Sequence, residues 1–175
     1  MKINLRRVTT GAVLIAAASA FLFCTGFTKA SDHGNHENGY LKSATYYSDD
    51  WVINFWNSES SHMDEELKQI REDGFNSIIL VVPWREFQPS MAPEHYNDYA
   101  WEKFDRVMKA AKAQDLKVML RVGYTWDYYS SENVLARYEK LLYDSETKKA
   151  WLHYAKRLYE KASAYDNFSG GFITW

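Results

Sequence analysis

The sequence predicts an α/β fold built on a parallel sheet, and three observations carry that expectation. Four short apolar runs rich in β-branched or aromatic residues, WVINFW (51–56), NSIILVVPW (76–84), LKVMLRVGY (116–124) and GGFITW (170–175), have the character of buried strands. Segments of helical periodicity separate them, and such alternation is the signature of a parallel sheet with right-handed crossovers. The loop after the first run, NSESSH, lacks the G-x-G-x-x-G phosphate loop of a dinucleotide-binding open sheet. A (β/α)8 barrel is therefore favoured over a doubly wound sheet, with this chain supplying about the first four strands.

The elements follow in order. The first helix spans about 62–73. It starts near Ser61, with Asp64 three residues on as a capping arrangement, and puts Leu67 and Ile70 on one face. The second, about 99–114, lines up Trp101, Phe104, Val107, Met108 and Ala111 on one stripe. A short helix around 132–142 and a longer one around 145–165 follow, the latter with Trp151, Tyr154, Ala155, Leu158 and Ala162 inward. Asn167 to Gly171 form the turn into the fourth strand.

The N-terminus reads differently. Lys2, Arg6 and Arg7 precede an uncharged run from Val8 to Thr28, the pattern of a secretory signal peptide with cleavage after Ala30. The alternative is an uncleaved membrane anchor, because a run of this length is close to the roughly 20 residues that span a bilayer. Both place the body of the chain outside the cytoplasm. Cys24, the only cysteine among 175 residues, falls inside this segment, so the mature chain is expected to hold neither disulfide nor thiol chemistry. Removing residues 1–30 takes away four cations and no acid, which moves the formal charge from −2 to −6. An acidic body argues against nucleic acid as a partner, and against anionic membrane unless the signal segment stays attached. Residues 31–48 read as a flexible tether; His33, His36 and Glu37 lie within it, but a floppy segment is a poor metal site and no metal or cofactor is expected.

Functional residues of a parallel α/β fold sit just beyond the carboxyl ends of the strands. Those positions hold Trp56 after the first run, Trp84 and Glu86 after the second, and Arg121, Tyr124, Trp126 and Asp127 at and after the third. Aromatic rings stack on the C–H faces of sugars, while carboxylate, amide and guanidinium groups bind the hydroxyls. An aromatic share of 17% fits either such a site or an aromatic core.

The stretch DGFNSIILVVPWREFQPSMAPEHYNDYAWEKFDRVMKAAKAQDLKVMLRVGY resembles the second and third βα units of clan A (β/α)8 glycoside hydrolases, the β-galactosidase and cellulase-like enzymes. The features that carry the likeness are GFNSI entering the second strand, PW with a following QP at its end, and a Tyr and a Trp opening the next helix, with FD inside it. LKVMLRVGY then stands as the third strand. The resemblance implies that residues 49–175 are the N-terminal half of a catalytic barrel, with substrate-binding roles for the seven residues named above. It also implies a retaining mechanism with two glutamates, an acid/base just after strand four and a nucleophile after strand seven. Retention requires two carboxyl groups about 5 Å apart with different pKa values. Both glutamates would then lie beyond Trp175, and the chain alone would be inactive. The sequence departs from the pattern at Ile79, where many cellulase-like relatives carry Arg, and at Asp127, which follows Tyr124 at a shorter spacing than the sugar-binding Glu of β-galactosidase-type enzymes.

The expected activity is hydrolysis of an oligo- or polysaccharide by an exported enzyme. A different class remains open: a non-catalytic carbohydrate-binding or half-barrel assembly protein, which would pair its open strand edges with another chain.

Overall fold

The structure is a computed structural model that describes residues 40–123 and 136–173. The expected signal segment and the first part of the expected tether therefore lie outside the described residues, as do Tyr124, Trp126 and Asp127.

The first strand is not WVINFW but β1 (Ser43–Tyr46), inside the stretch expected to be a tether. Asn76 fixes its start: Lys42 N donates to Asn76 Oδ1 (2.8 Å), Asn76 N to Lys42 O (3.1 Å), and Asn76 Nδ2 to Tyr40 O (2.9 Å). WVINFW instead leads into a 3-10 helix at Asn54–Asn57. Its burial explains why: Val52, Ile53, Phe55 and Trp56 are buried while Trp51, Asn54 and Asn57 are exposed. Exposed positions three apart match the three residues per turn of a 3-10 helix, not the period of two of a half-buried strand. A short apolar run does not distinguish the two until its polar positions are read.

The remaining elements are α1 (Met63–Glu72), β2 (Ser77–Val81), a helical turn α2 (Trp84–Phe87), the hairpin β3 (Ser90–Met91) with β4 (Glu94–His95), α3 (Asp98–Ala113), β5 (Lys117–Arg121), α4 (Ala136–Tyr143), α5 (Ser145–Ala162) and β6 (Phe168–Phe172). Ser61 does not cap α1; His62 holds that position without a side-chain cap bond, and Asp64, Glu65 and Glu66 complement the helix dipole instead. Asn97 caps α3, accepting from Ala100 N. The four main strands pair in parallel in the order β1-β2-β5-β6, the arrangement expected of consecutive right-handed crossovers.

Alternation along the strands sorts side chains to two faces. Ile78, Leu80 and Val82 from β2 and its exit join Val118, Leu120 and Val122 on the helix-covered face. There they pack with Leu67, Phe104, Val107, Met108, Tyr154, Leu158 and Ala162 in one continuous core. The opposite face carries register rows such as Thr45, Ile79 and Met119, and, at the carboxyl end, Val81, Arg121 and Phe172.

The paired glycines of GGFITW have separate causes. β6 carries an irregularity between Val118 and Leu120, whose partners are Phe168 and Gly171, so the strand holds one extra residue. Gly170 adopts φ 108° there, a conformation that costs other residues strain. At Gly171 a Cβ would sit 2.5 Å from Tyr159 Oη and 2.8 Å from Leu120 O, so the strand can approach α5 only without a side chain.

Candidate functional site

The carboxyl ends of the strands and the loops that follow them make one end of the sheet, and most of the expected site residues sit there. Val52 and Ile53 close over Val81 as a small apolar cluster, so the segment after β1 folds across the end of β2. That folding determines what each candidate can do.

Trp56 is fully buried. Its Nε1 donates to Val81 O (2.9 Å), and its ring packs edge-on against Phe55 at 5.0 Å and Phe87 at 4.6 Å, with Phe104 nearly parallel at 6.4 Å. Its faces are taken by protein, and the side chain pins the loop to the sheet. Trp84 is equally buried: Nε1 donates to Gln88 Oε1 (2.6 Å), Tyr154 stacks on the ring at 6.3 Å, and the Arg137 guanidinium lies 5.0 Å from its centroid. In both cases the ring the sequence offered as a sugar platform belongs to the core, because the chain turns back on itself within a few residues of the strand end.

Glu86 is nearly buried, at 7% exposure. Asn57 Nδ2 donates to its Oε2, while Asn97 Nδ2 donates to Asn57 Oδ1 (3.0 Å) and to Glu86 O (3.0 Å). Burial raises the carboxyl above its usual pKa, and the Asn57 hydrogen bond and the charges of Arg85 and Arg137 pull the other way. The group is thus held in one orientation by the Asn57 amide, which Asn97 braces in turn, a carboxyl suited to receiving hydroxyl donors or to orienting a neighbour.

Arg121 stands at the end of β5, in register with Val81 and Phe172 and on the face away from the helices. Its Nε is buried and has no hydrogen-bond partner among the described residues. A buried donor left unpaired costs about 1–3 kcal/mol, so this atom is free to donate to an acceptor outside the described residues.

Three features were missed in the sequence. Arg137, on α4, is buried and donates to Gln88 O (2.7 Å) and Pro89 O (2.6 Å), tying α4 to the loop after β2. Burial lowers its pKa to about 10, which leaves it charged at neutral pH. Among the described residues, Tyr47 and Trp51, 37% and 58% exposed, follow β1 as open aromatics at this end of the sheet. Their signal was their place after the strand at 43–46, which the low hydrophobicity of SATY concealed. Third, Lys103 is a buried cation on α3: its Nζ donates to Phe55 O, Ser58 O (2.7 Å) and Ser60 Oγ (2.8 Å), anchoring the segment that presents Asn57. Among the described residues no cluster of three or more His, Cys, Asp or Glu side chains is placed to hold a metal.

With this geometry in place, solved structures give the match. A glycoside hydrolase family 5, subfamily 18 protein from Bifidobacterium longum, crystallised with Manβ1-4GlcNAc, superposes with a TM-score of 0.61 at 18% identity over 77% of this chain and 33% of its own. The fold is that of the opening half of a (β/α)8 barrel. A subfamily 18 protein from Streptomyces cattleya in complex with GlcNAc matches at TM-score 0.62 and 19% identity, covering 76% of this chain and 33% of its own. An exo-β-1,4-mannosidase from an Opitutaceae bacterium matches at TM-score 0.58 and 18% identity, covering 70% and 22%. The chain thus spans about a third or less of the length of these proteins. No protein-family model and no curated protein matches the sequence.

Proposed function

We propose that the chain from β1 (Ser43–Tyr46) onward is the first half of the catalytic barrel of an exported retaining glycoside hydrolase, and that it supplies one wall of its sugar site. The observation that carries this reading is Arg121: a buried, unpartnered guanidinium nitrogen at the carboxyl end of a strand, in a sheet of glycoside hydrolase barrel type. In the proposed site Arg121 donates to a sugar hydroxyl or to a catalytic carboxylate, Glu86 receives hydroxyl donors, and Trp51 and Tyr47 offer faces for ring stacking. Tyr124, Trp126 and Asp127, outside the described residues, are carried in this proposal as further sugar-binding side chains on the strength of the sequence alone. The two catalytic glutamates lie beyond Trp175, one to protonate the leaving oxygen and one to attack the anomeric carbon. Export is carried by residues 1–30, cleaved after Ala30.

The glycan bound to the Bifidobacterium protein and the activity named for the Opitutaceae protein make β-1,4-linked mannosides the first substrates to try. The test is to express the chain continued through its own reading frame past Trp175 and assay aryl β-mannosides, β-glucosides and β-galactosides, reading product stereochemistry by NMR. Hydrolysis with retention, lost on mutating a glutamate just after the fourth strand, is the expected result. A stop codon directly after Trp175, or turnover by the 175-residue chain alone, would overturn the placement of the catalytic pair.

A further inference from the structure

A cavity lies outside the strand-end site. It opens between the β3–β4 hairpin, which belongs to the loop after β2, and the α4–α5 pair, which follows β5, and its volume is about 650 Å3. That lies within the roughly 300–1,000 Å3 typical of small-molecule sites.

The chemistry of its lining selects a class of ligand. Tyr143, at the end of α4, lines the cavity with 72% of its surface exposed, so its ring is open to a flat partner. Met91 and Ala150 add apolar surface, and Lys140 and His153 contribute exposed polar ends. The acids of the lining are already engaged. Glu94 Oε1 accepts from Gln88 Nε2 (3.1 Å) and Tyr96 Oη (2.8 Å), Asp144 caps α5 through Thr147 N (2.7 Å), and Glu146 pairs with Lys149 (2.7 Å). With Lys140 and Lys149 set against Glu94, Asp144 and Glu146, the lining carries no excess of positive charge, which disfavours a polyanion. An open aromatic ring beside donors, over small apolar patches and without a charge bias, is the surface a neutral pyranose needs, with its C–H face to be covered and its hydroxyls to be satisfied.

We infer that the cavity between the β3–β4 hairpin and α4–α5 is a secondary binding site for a neutral oligosaccharide, with Tyr143 as its stacking platform. Both walls come from connections that leave the carboxyl ends of strands, so the site flanks the proposed catalytic mouth and suits a part of a glycan chain remote from the bond that is cut. The inference rests on the carbohydrate reading above for the class of its ligand.

The test is titration of the isotope-labelled chain with β-1,4-mannotetraose and cellotetraose by NMR, with an oligogalacturonate as the anionic probe. Expected are shifts of Tyr143, Ala150 and His153 signals with a neutral tetrasaccharide, weakened at least tenfold by Tyr143→Ala and unchanged by Arg121→Ala. Tyr143 is exposed, so its truncation leaves the fold intact, which circular dichroism checks. Saccharide shifts abolished by Arg121→Ala but indifferent to Tyr143→Ala would overturn the secondary site while sparing the hydrolase reading. Preference for the oligogalacturonate, or no shift around Tyr143, would also overturn it. Conversely, Tyr143-dependent binding together with no hydrolysis by the extended chain would sustain this site and sink the hydrolase.

Discussion

Replacing Lys103 with Met isolates what a buried ammonium does for the site. The substitution keeps an unbranched stem of similar length inside the core and removes one charge and its three hydrogen bonds. Left behind are the carbonyls of Phe55 and Ser58 and the hydroxyl of Ser60, all on the segment that presents Asn57 to Glu86. The cation also sits 3.9 Å from the centroid of the Phe55 ring, a contact that Met retains only as dispersion. An unsatisfied buried polar group costs about 1–3 kcal/mol. The Phe55 carbonyl bears that cost in full, while the part-buried Ser58 and Ser60 acceptors recover water. Relief from desolvating a charge offsets some of the loss, so Lys103→Met is expected to destabilise the chain by about 2–3 kcal/mol, read as a lowered urea midpoint at pH 7 with an unchanged slope. The sign with pH is a sharper check. Burial, the first cause, and the nearby Arg106 charge push the Lys103 pKa down to about 8, below the value of 10.5 it has unfolded. Between those values the unfolded chain holds more protons than the folded one, so the native protein gains stability as pH rises through this window. Methionine cannot titrate, so the advantage of the native protein over the variant should widen from pH 8 to pH 10. A midpoint difference that stays flat or shrinks over that range, or a variant as stable as the native chain at pH 7, would refute the assignment of Lys103 as a desolvated anchor.

Other expectations are as direct. Gly171→Ala places a methyl against Tyr159 Oη and Leu120 O and should cost about 1–3 kcal/mol by chemical denaturation, partly recovered by adding Tyr159→Phe; a neutral Gly171→Ala would mean that β6 does not pack on α5 as described. Arg121→Ala should abolish saccharide binding at the strand-end site at little cost in thermal stability, since its Nε has no bond to lose among the described residues; a large loss of stability would give Arg121 a structural role instead. Asp144 is held below its usual pKa by hydrogen bonds from the Thr147 side chain and backbone, so its capping contribution is present above that usual pKa and fades as pH falls through the lowered one. Acid titration comparing the native chain with Asp144→Ala should show their stabilities converging at low pH, and parallel curves would contradict the cap.

The helices were legible in the sequence where apolar spacing and tertiary burial coincide. The stripe Trp101, Phe104, Val107, Met108 and Ala111 is buried as its spacing demands, because a helix of 16 residues has one face to hide. The strands at 77–81 and 117–121 were legible for related reasons: the first is buried along nearly its whole length and reads as an apolar run, and the second alternates, with Val118 and Leu120 inward. β1 was not legible, since four residues with the composition SATY gain their place from the sheet edge and from Asn76 rather than from hydrophobicity. That miss moved the first loop and with it the reading of its aromatics: Trp56 became a candidate and Trp51 did not.

The sequence by itself determined the class of the fold, because periodicity of apolar residues is a local property of the chain. It also determined which residue types gather at the strand ends, because a strand that must be buried names its own exit. Tertiary structure decided which of them keep an open face or an unpaired atom. Trp56 and Trp84 lost their open faces to Phe87, Phe104 and Tyr154. Arg121 kept an unpaired nitrogen, and Tyr143 stayed exposed beside a cavity. These outcomes depend on contacts between residues far apart in the chain, and local spacing carries no record of them.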